Sequence, residues 1–128
     1  MIRLALSLLA LTTPATMPAM AQDMPVPSGM QTRFVEVVLE PDAAIARFRF
    51  LAPDLGTPGH ELVDVAGDFV WLCERMAIPA LDSAGWEAEQ IVISISDQAV
   101  GFGETNPDVL QYFDGFSIAG DSCLWEPF

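Results

Sequence analysis

The chain has very little positive charge. It contains no lysine, five arginines and one histidine against 18 aspartate and glutamate residues, and its formal net charge is −13. Such a surface repels phosphate backbones and anionic lipid headgroups, which argues against nucleic-acid binding and against electrostatic docking to a membrane. A cationic partner, divalent-cation binding and simple solubility remain as explanations, and solubility requires the fewest assumptions.

No apolar run reaches the about 20 residues that a membrane-spanning helix needs. The most apolar stretch, Leu4–Leu11, follows Arg3 and precedes the small-residue site Ala19-Met20-Ala21. This order is typical of a secretory signal peptide. We predict that residues 1–21 are cleaved and that the mature protein is periplasmic or secreted, without stable membrane insertion. An uncleaved N-terminal anchor is the alternative.

Removal of residues 1–21 from the 128 leaves 107, the size of one domain. Residues 22–31 contain two prolines and a glycine and are predicted to be a flexible linker. Residues 32–128 are rich enough in Phe, Trp, Val, Ile and Leu to bury one core, so a single α+β domain is expected there.

Cysteine is rare, and its count is even. Cys73 and Cys123 leave one intramolecular pairing, and export to an oxidising compartment favours it. A reactive thiol or a metal site is the alternative, but no CxxC and no Cys/His cluster occurs. We predict a structural disulfide between the two.

Complete catalytic and cofactor motifs are also lacking. His60 stands alone in a Gly/Pro-rich loop, Gly115–Ala119 lacks the last glycine of GxSxG, and Gly101-Phe102-Gly103 is only a fragment of a dinucleotide fingerprint. Four carboxylates surround one loop without the spacing of a calcium site: Asp97, Glu104, Asp108 and Asp114. No catalytic residue, metal ligand or cofactor is predicted.

The period-two patterns predict strands. Phe34–Glu40 alternates with Val35, Val37 and Leu39 on one face, and Ala44–Leu51 alternates with Phe48 and Phe50 on one face. A turn at residues 41–44 joins them into an antiparallel hairpin. If Glu40 opposes Ile45, Glu36 faces Arg49 and Val38 faces Arg47, and the phenylalanines enter the core. We expect the arginines to lie on a solvated face.

The rest of the chain alternates helices and strands. Asp64 is predicted to cap an amphipathic helix that Pro79 ends, and Ile91–Ser96 is the expected central strand. A short helix is expected from Thr105 to Asp114, before a hairpin of residues 116–118 and 122–125. The predicted fold is α+β, order ββαβαββ, with a mostly antiparallel sheet of four to five strands and two helices on one face.

The loop after the central strand is the candidate ligand site, because binding residues often lie on loops that leave a rigid strand. Its candidate residues are Ser96, Asp97, Phe102 and Glu104. Asp97 and Glu104 are expected to be at least partly exposed there.

Several motifs are spread over the whole predicted mature chain: Cys73, Pro79, the run Gln90–Asp97, Phe102-Gly103-Glu104 and Cys123–Glu126. They resemble a family of short exported bacterial proteins known as a domain of unknown function. The resemblance implies no catalytic or binding residue. Some relatives carry an acetolactate-synthase label, but this chain lacks a thiamine-diphosphate signature and the size for that chemistry.

Two functions are compatible with these patterns. The first is a non-enzymatic domain that acts through contact with a protein partner or in envelope housekeeping. The second is a small enzyme or ligand-binding protein that uses the Ser96–Glu104 loop. A concave pocket with convergent polar groups would favour the second, whereas an exposed aromatic patch alone would favour the first.

Overall fold

The computed structural model describes residues 23–127, which form a five-stranded sheet with a helical segment against one face. The predicted signal peptide lies outside the described residues. No helix within residues 23–127 is long and apolar enough to cross a bilayer.

The sheet order in space is the order along the chain, β1-β2-β3-β4-β5. The strands are β1 (Arg33–Glu40), β2 (Ile45–Leu51), β3 (Gln90–Ser96), β4 (Gln111–Ala119) and β5 (Ser122–Trp125). Three neighbouring pairs are antiparallel, and β2 runs parallel to β3, which is why the connection between them is a helical crossover. The predicted α+β class and mostly antiparallel sheet are confirmed, and β3 is the central strand.

The first hairpin has the predicted register, with Glu36 opposite Arg49, Val38 opposite Arg47 and Glu40 opposite Ile45. A bulge between Phe34 and Glu36 then adds one unpaired residue. The assignment of Val35 to the apolar face is therefore wrong: Val35 is exposed, and Phe34 packs instead on the two buried phenylalanines of β2.

The helical segment continues past Pro79, contrary to the prediction. Helix α1 (Leu62–Leu72) and helix α2 (Ile78–Ala84) are joined by a π-helical turn, Cys73–Ala77. In a regular α-helix the proline ring would clash with the carbonyl four residues back. Here Ile78 donates to the carbonyl of Cys73, five residues back, and the wider turn accommodates the proline.

The predicted helix at Thr105–Asp114 is wrong, so residues 23–127 contain one segment with α-helices and not the two separate helices of ββαβαββ. The Asn106 side chain accepts the Asp108 N–H at 3.0 Å, so these capping residues form a local turn. The chain then enters β4, where Gly115 lies inside the strand. Pairing with β3 satisfies the backbone hydrogen bonds of these residues in a sheet, whereas a short isolated helix is only marginally stable in water.

The core lies between the helical segment and one sheet face. The helical residues Phe69, Leu72 and Ile78 are buried in one core with Phe48 of β2 and Ile93 of β3. The residues two positions away on these two strands belong to the same core. Cys73 and Cys123 form a disulfide at the end of this layer, with Cα atoms 6.3 Å apart. The predicted pairing is confirmed, and it joins the helical segment to the last strand.

Residues 23–31, which belong to the linker predicted for residues 22–31, are packed on the domain. Val26 and Met30 are buried in the core. Between them, Ser28 donates from its backbone N–H and its hydroxyl to the two carboxylate oxygens of Asp68 on α1, at 2.9 and 2.5 Å. The proline and glycine content that indicated mobility instead shapes a turn that brings two apolar side chains inward.

Candidate functional site

The sheet face opposite the helices carries the candidate site. Strand alternation directs Phe48 and Ile93 toward the helices, so their neighbours Arg47 and Arg49 on β2 and Ser94 on β3 lie on the other face. In the register of the sheet, Arg49 is opposite Ser94, and Ser94 is opposite Phe113 on β4. Two cations, a hydroxyl and an aromatic ring therefore share one surface.

Residues 97–110, called here the flap loop, fold back over this surface. Its ends are fastened at the base, because the Asp97 N–H donates to the Leu110 carbonyl at 3.0 Å and the Leu110 N–H donates to the Asp97 carboxylate at 2.9 Å. Near its middle, Gly101 and Glu104 bond in both directions. The loop therefore has a closed base and its own internal bonds.

Arg49 fixes the flap loop to the sheet. Its Nη1 donates to Glu36 Oε1 and its Nη2 donates to the carbonyl of Val100, both at 2.5 Å. Its side chain is only 9% exposed, because the loop covers it. The expectation of a solvated face is therefore wrong at Arg49, although the predicted side of the sheet is right.

Phe102 lies over both arginines. The Cζ atoms of Arg47 and Arg49 are each 5.9 Å from the centroid of its ring, within the range of cation–π attraction. The ring remains 50% exposed. It covers the guanidinium groups on one side and presents apolar surface to solvent on the other.

A cleft of about 270 Å³ lies between the flap loop and the sheet. Phe102 and Phe113 supply aromatic surface, and Val92 adds an aliphatic side chain from the sheet. The polar groups at the cleft come from Arg47, Arg49, Ser94, Glu104, Thr105 and Gln111. The result is a small cavity with apolar side chains and a few converging polar groups, which is typical of a ligand site.

Arg47 is held much less firmly than Arg49. Its Nε lies 3.2 Å from Glu40 Oε1, but the N–H is not directed at that oxygen and this buried nitrogen has no hydrogen-bond acceptor. Its Nη2 donates to Glu40 Oε2 at 3.4 Å, a long hydrogen bond. The side chains of the pair are 28% and 35% exposed. Arg47 therefore keeps donor capacity at the cleft.

The four predicted loop residues separate into two pairs. Phe102 and Glu104 line the cleft, whereas Ser96 and Asp97 do not. The Ser96 hydroxyl is buried and faces the Phe50 carbonyl, and Asp97 closes the base of the flap loop. Asp97 is partly exposed and Glu104 exposed, as expected.

The residues of the cleft that lie outside the predicted Ser96–Glu104 loop were not predicted from the sequence: Arg47, Arg49, Val92, Ser94, Thr105, Gln111 and Phe113. The alternation of side chains in the hairpin placed the two arginines on one face. Nothing in that pattern showed that a loop about 50 residues later in the chain would cover them. Gln111 and Phe113 fall within the helix predicted for Thr105–Asp114, so their positions in β4, opposite Ser96 and Ser94, could not be derived.

The remaining chemical candidates are engaged elsewhere. His60 Nδ1 lies 3.2 Å from the Thr57 hydroxyl in its own turn, and Asp114 accepts from the indole of Trp125 at 2.7 Å. Glu74 accepts from the Cys123 N–H at 3.1 Å beside the disulfide. Within residues 23–127, no three His, Cys, Asp or Glu side chains are grouped so as to hold a metal ion.

Replacement of Arg49 by leucine is expected to release the flap loop. The change removes two charge-assisted hydrogen bonds and the attraction to Phe102, and we expect the free energy of unfolding to fall by about 2 kcal/mol. Amide hydrogen exchange should accelerate at Gly101 and Glu104 before it changes in β3. Arg75→Leu, at an exposed position on the helical side, is the control, and unchanged exchange in the loop would show that Arg49 does not hold it.

The fold and cleft define the class as a small α+β domain with a loop-covered cleft on the sheet face opposite its helices. The chain belongs to DUF6497, a family of unknown function, whose model matches residues 8–128. This confirms the predicted membership in a domain family of unknown function. No curated protein and no solved structure gives a significant match.

Proposed function

We propose that this protein is an exported, non-catalytic binding domain that holds a small ligand with an apolar body in the cleft under the flap loop. The observation that carries the proposal is the cleft itself, in which aromatic rings and guanidinium groups converge from β2, β4 and the loop. At about 270 Å³ it is near the lower end of the sizes usual for small-molecule sites.

Binding explains the cleft better than catalysis does. Of the described residues that line it, Ser94 and Thr105 carry the hydroxyls, and the lining contains no histidine, lysine or cysteine that could activate them. The Glu104 carboxylate accepts the Gly101 N–H at 3.2 Å and thereby shapes the loop. The side chains present can orient a ligand and exclude water from it.

Export is supported by two independent features. Residues 1–21 have the order of a signal peptide, and Cys73 and Cys123 form a disulfide, a bond that is rare in reducing compartments. We therefore place the binding function in the periplasm or outside the cell. There the ligand would be met directly, without transport into the cytoplasm.

The test is a ligand screen by two-dimensional NMR on the oxidised protein, with small neutral and charged aromatic and aliphatic compounds. Binding should shift the amides of Ser94, Gly103 and Phe113 together. Phe102→Ala should weaken the binding about fivefold, because about 1 kcal/mol of ring burial is lost. Val63→Ala, exposed on α1, is the matched control. A screen in which no compound shifts the cleft amides contradicts the proposal.

Contact with a protein partner is the second candidate, favoured by exposed apolar side chains on the same sheet face. Phe102, Phe113 and Leu124 are each about half exposed there. If a partner covers this face, Phe113→Ser with Leu124→Ser should abolish its retention from periplasmic extract. Val63→Ser should leave retention unchanged, and equal retention by all variants would remove this candidate.

A further inference from the structure

We infer that the ligand of the cleft is an apolar monocarboxylate whose carboxylate is bound by Arg47. This inference rests on the proposed function and adds the chemical class of the ligand. It depends on the difference between the two arginines, on the apolar side chains of the cleft, and on the charge around it.

The two arginines have different roles. A guanidinium group carries five N–H donors. Arg49 uses two of them in short bonds to Glu36 and Val100 and is covered by the flap loop. Arg47 has one long hydrogen bond to Glu40, and its buried Nε has no acceptor. Arg49 is therefore committed to structure, and Arg47 is the cation at the cleft with donors left to offer.

The existing partner of Arg47 can be displaced. The ion pair between Arg47 and Glu40 is partly exposed, and its only hydrogen bond is long at 3.4 Å, so it contributes little to stability. Phe102 and Phe113 partly shield a ligand carboxylate in the cleft from water, which strengthens its attraction to the guanidinium; this gain must outweigh the cost of desolvating the carboxylate. A carboxylate also matches the planar fork of arginine, which can donate to both of its oxygens.

Among anions, the surroundings favour one with a single negative charge over one with two. Glu104 lines the cleft, Glu36 and Glu40 lie beside the two arginines, and the whole chain has a formal net charge of −13. A dianion such as a phosphate monoester meets about twice the repulsion of a monocarboxylate from this field. The two phenylalanines and Val92 accept an aromatic or short aliphatic body next to the carboxylate.

Two sources present this chemistry: a free carboxylic acid and the C-terminal residue of a peptide with an apolar side chain. Both place one carboxylate next to one apolar group. The experiment therefore compares each acid with its own amide, which keeps the shape and removes the charge.

The probes are phenylacetate and phenylacetamide, titrated into the oxidised protein and followed by the amide shifts of Ser94 and Gly103. We expect the acid to bind at least about tenfold more tightly, as hydrogen bonds between two charged groups require. Arg47→Gln should abolish that preference, and Glu40→Gln should increase affinity for the acid because Arg47 loses its competing partner. Arg75→Gln, which removes the same charge at an exposed site, should retain the preference.

Two further comparisons distinguish a free acid from a peptide C-terminus and a monoanion from a dianion. A short peptide that ends in phenylalanine, with a free or an amidated C-terminus, shows whether peptide termini are the preferred source. Phenyl phosphate should bind more weakly than phenylacetate. Equal affinity for acid and amide, a preference that survives Arg47→Gln, or tighter binding of phenyl phosphate would overturn the inference. In those cases cleft shifts with any compound still support the proposed function, whereas no shifts at all would reject both.

Discussion

Reduction of the disulfide is expected to lower the free energy of unfolding by up to about 4 kcal/mol. Cys73 and Cys123 are separated by 50 positions, and a link of this span strongly restricts the unfolded chain. The loss is comparable to the whole net stability of many small domains. Denaturant unfolding of the oxidised and reduced protein at the same temperature measures it.

A control variant distinguishes the loss of the disulfide from other effects of the reductant. A Cys73→Ala, Cys123→Ala double variant should have nearly the stability of the reduced protein, and reductant should not change it further. Both sulfurs are buried between the helical segment and β5, so alanine causes some additional loss of packing. Equal stability of the oxidised and reduced wild type would show that the bond does not stabilise the fold.

Replacement of Asp68 by alanine is expected to have the second largest effect, about 3 kcal/mol. Asp68 is 1% exposed and accepts two hydrogen bonds from Ser28. The substitution leaves the Ser28 N–H without its acceptor and weakens the attachment of residues 23–31, whose side chains Val26 and Met30 are in the core. Denaturant unfolding measures the loss, and hydrogen exchange at Met24 and Met30 locates it.

The matched control is Asp82→Ala, an exposed carboxylate on the same helical segment, which should change stability by less than about 0.5 kcal/mol. Ser28→Ala should reproduce part of the Asp68 effect, since it removes the hydroxyl bond to Asp68 and the acceptor of the Met30 N–H but keeps the bond from the Ser28 N–H to Asp68. If Asp68→Ala leaves the exchange of Met24 and Met30 unchanged, the attachment depends on the apolar contacts alone.

The flap loop connects these stability arguments to function. Arg49 joins β1, β2 and the loop at one point, and Phe102 covers both arginines. The cleft thus depends on a rigid sheet for its floor and on one loop for its roof. If the cleft binds the proposed ligand, the affinity should therefore be sensitive to changes in the loop that leave global stability almost unaltered.

Local patterns predicted several elements correctly. The alternation in residues 36–40 and 45–51 determined the hairpin register, because a slip by one residue would have placed Arg47 and Arg49 in the core. The alternation of Ile91, Ile93 and Ile95 predicted β3, and the even cysteine count predicted the disulfide. Side-chain alternation left one register for the hairpin, and the cysteine count left one pairing.

Other elements depended on partners distant in sequence. Asn106 and Pro107 carry the signals of a helix start, but β3 offered a strand partner to the residues that follow, and β4 formed. Pro79 is tolerated because the preceding turn becomes π-helical. Residues 23–31 are ordered because Asp68 and the core accept Ser28, Val26 and Met30.

Residue patterns alone were enough to predict the α+β class, the central strand, the pairing of Cys73 with Cys123 and the side of the sheet that carries Arg47 and Arg49. The strands and the side of the sheet follow from periodicity, which depends on a few neighbouring positions. The disulfide follows from the residue count, because two cysteines leave only one pairing. Tertiary contacts were needed to show that the flap loop covers those arginines and that Phe113 lies on the same cleft. That cleft depends on contacts between segments about 50 residues apart, which no local pattern records.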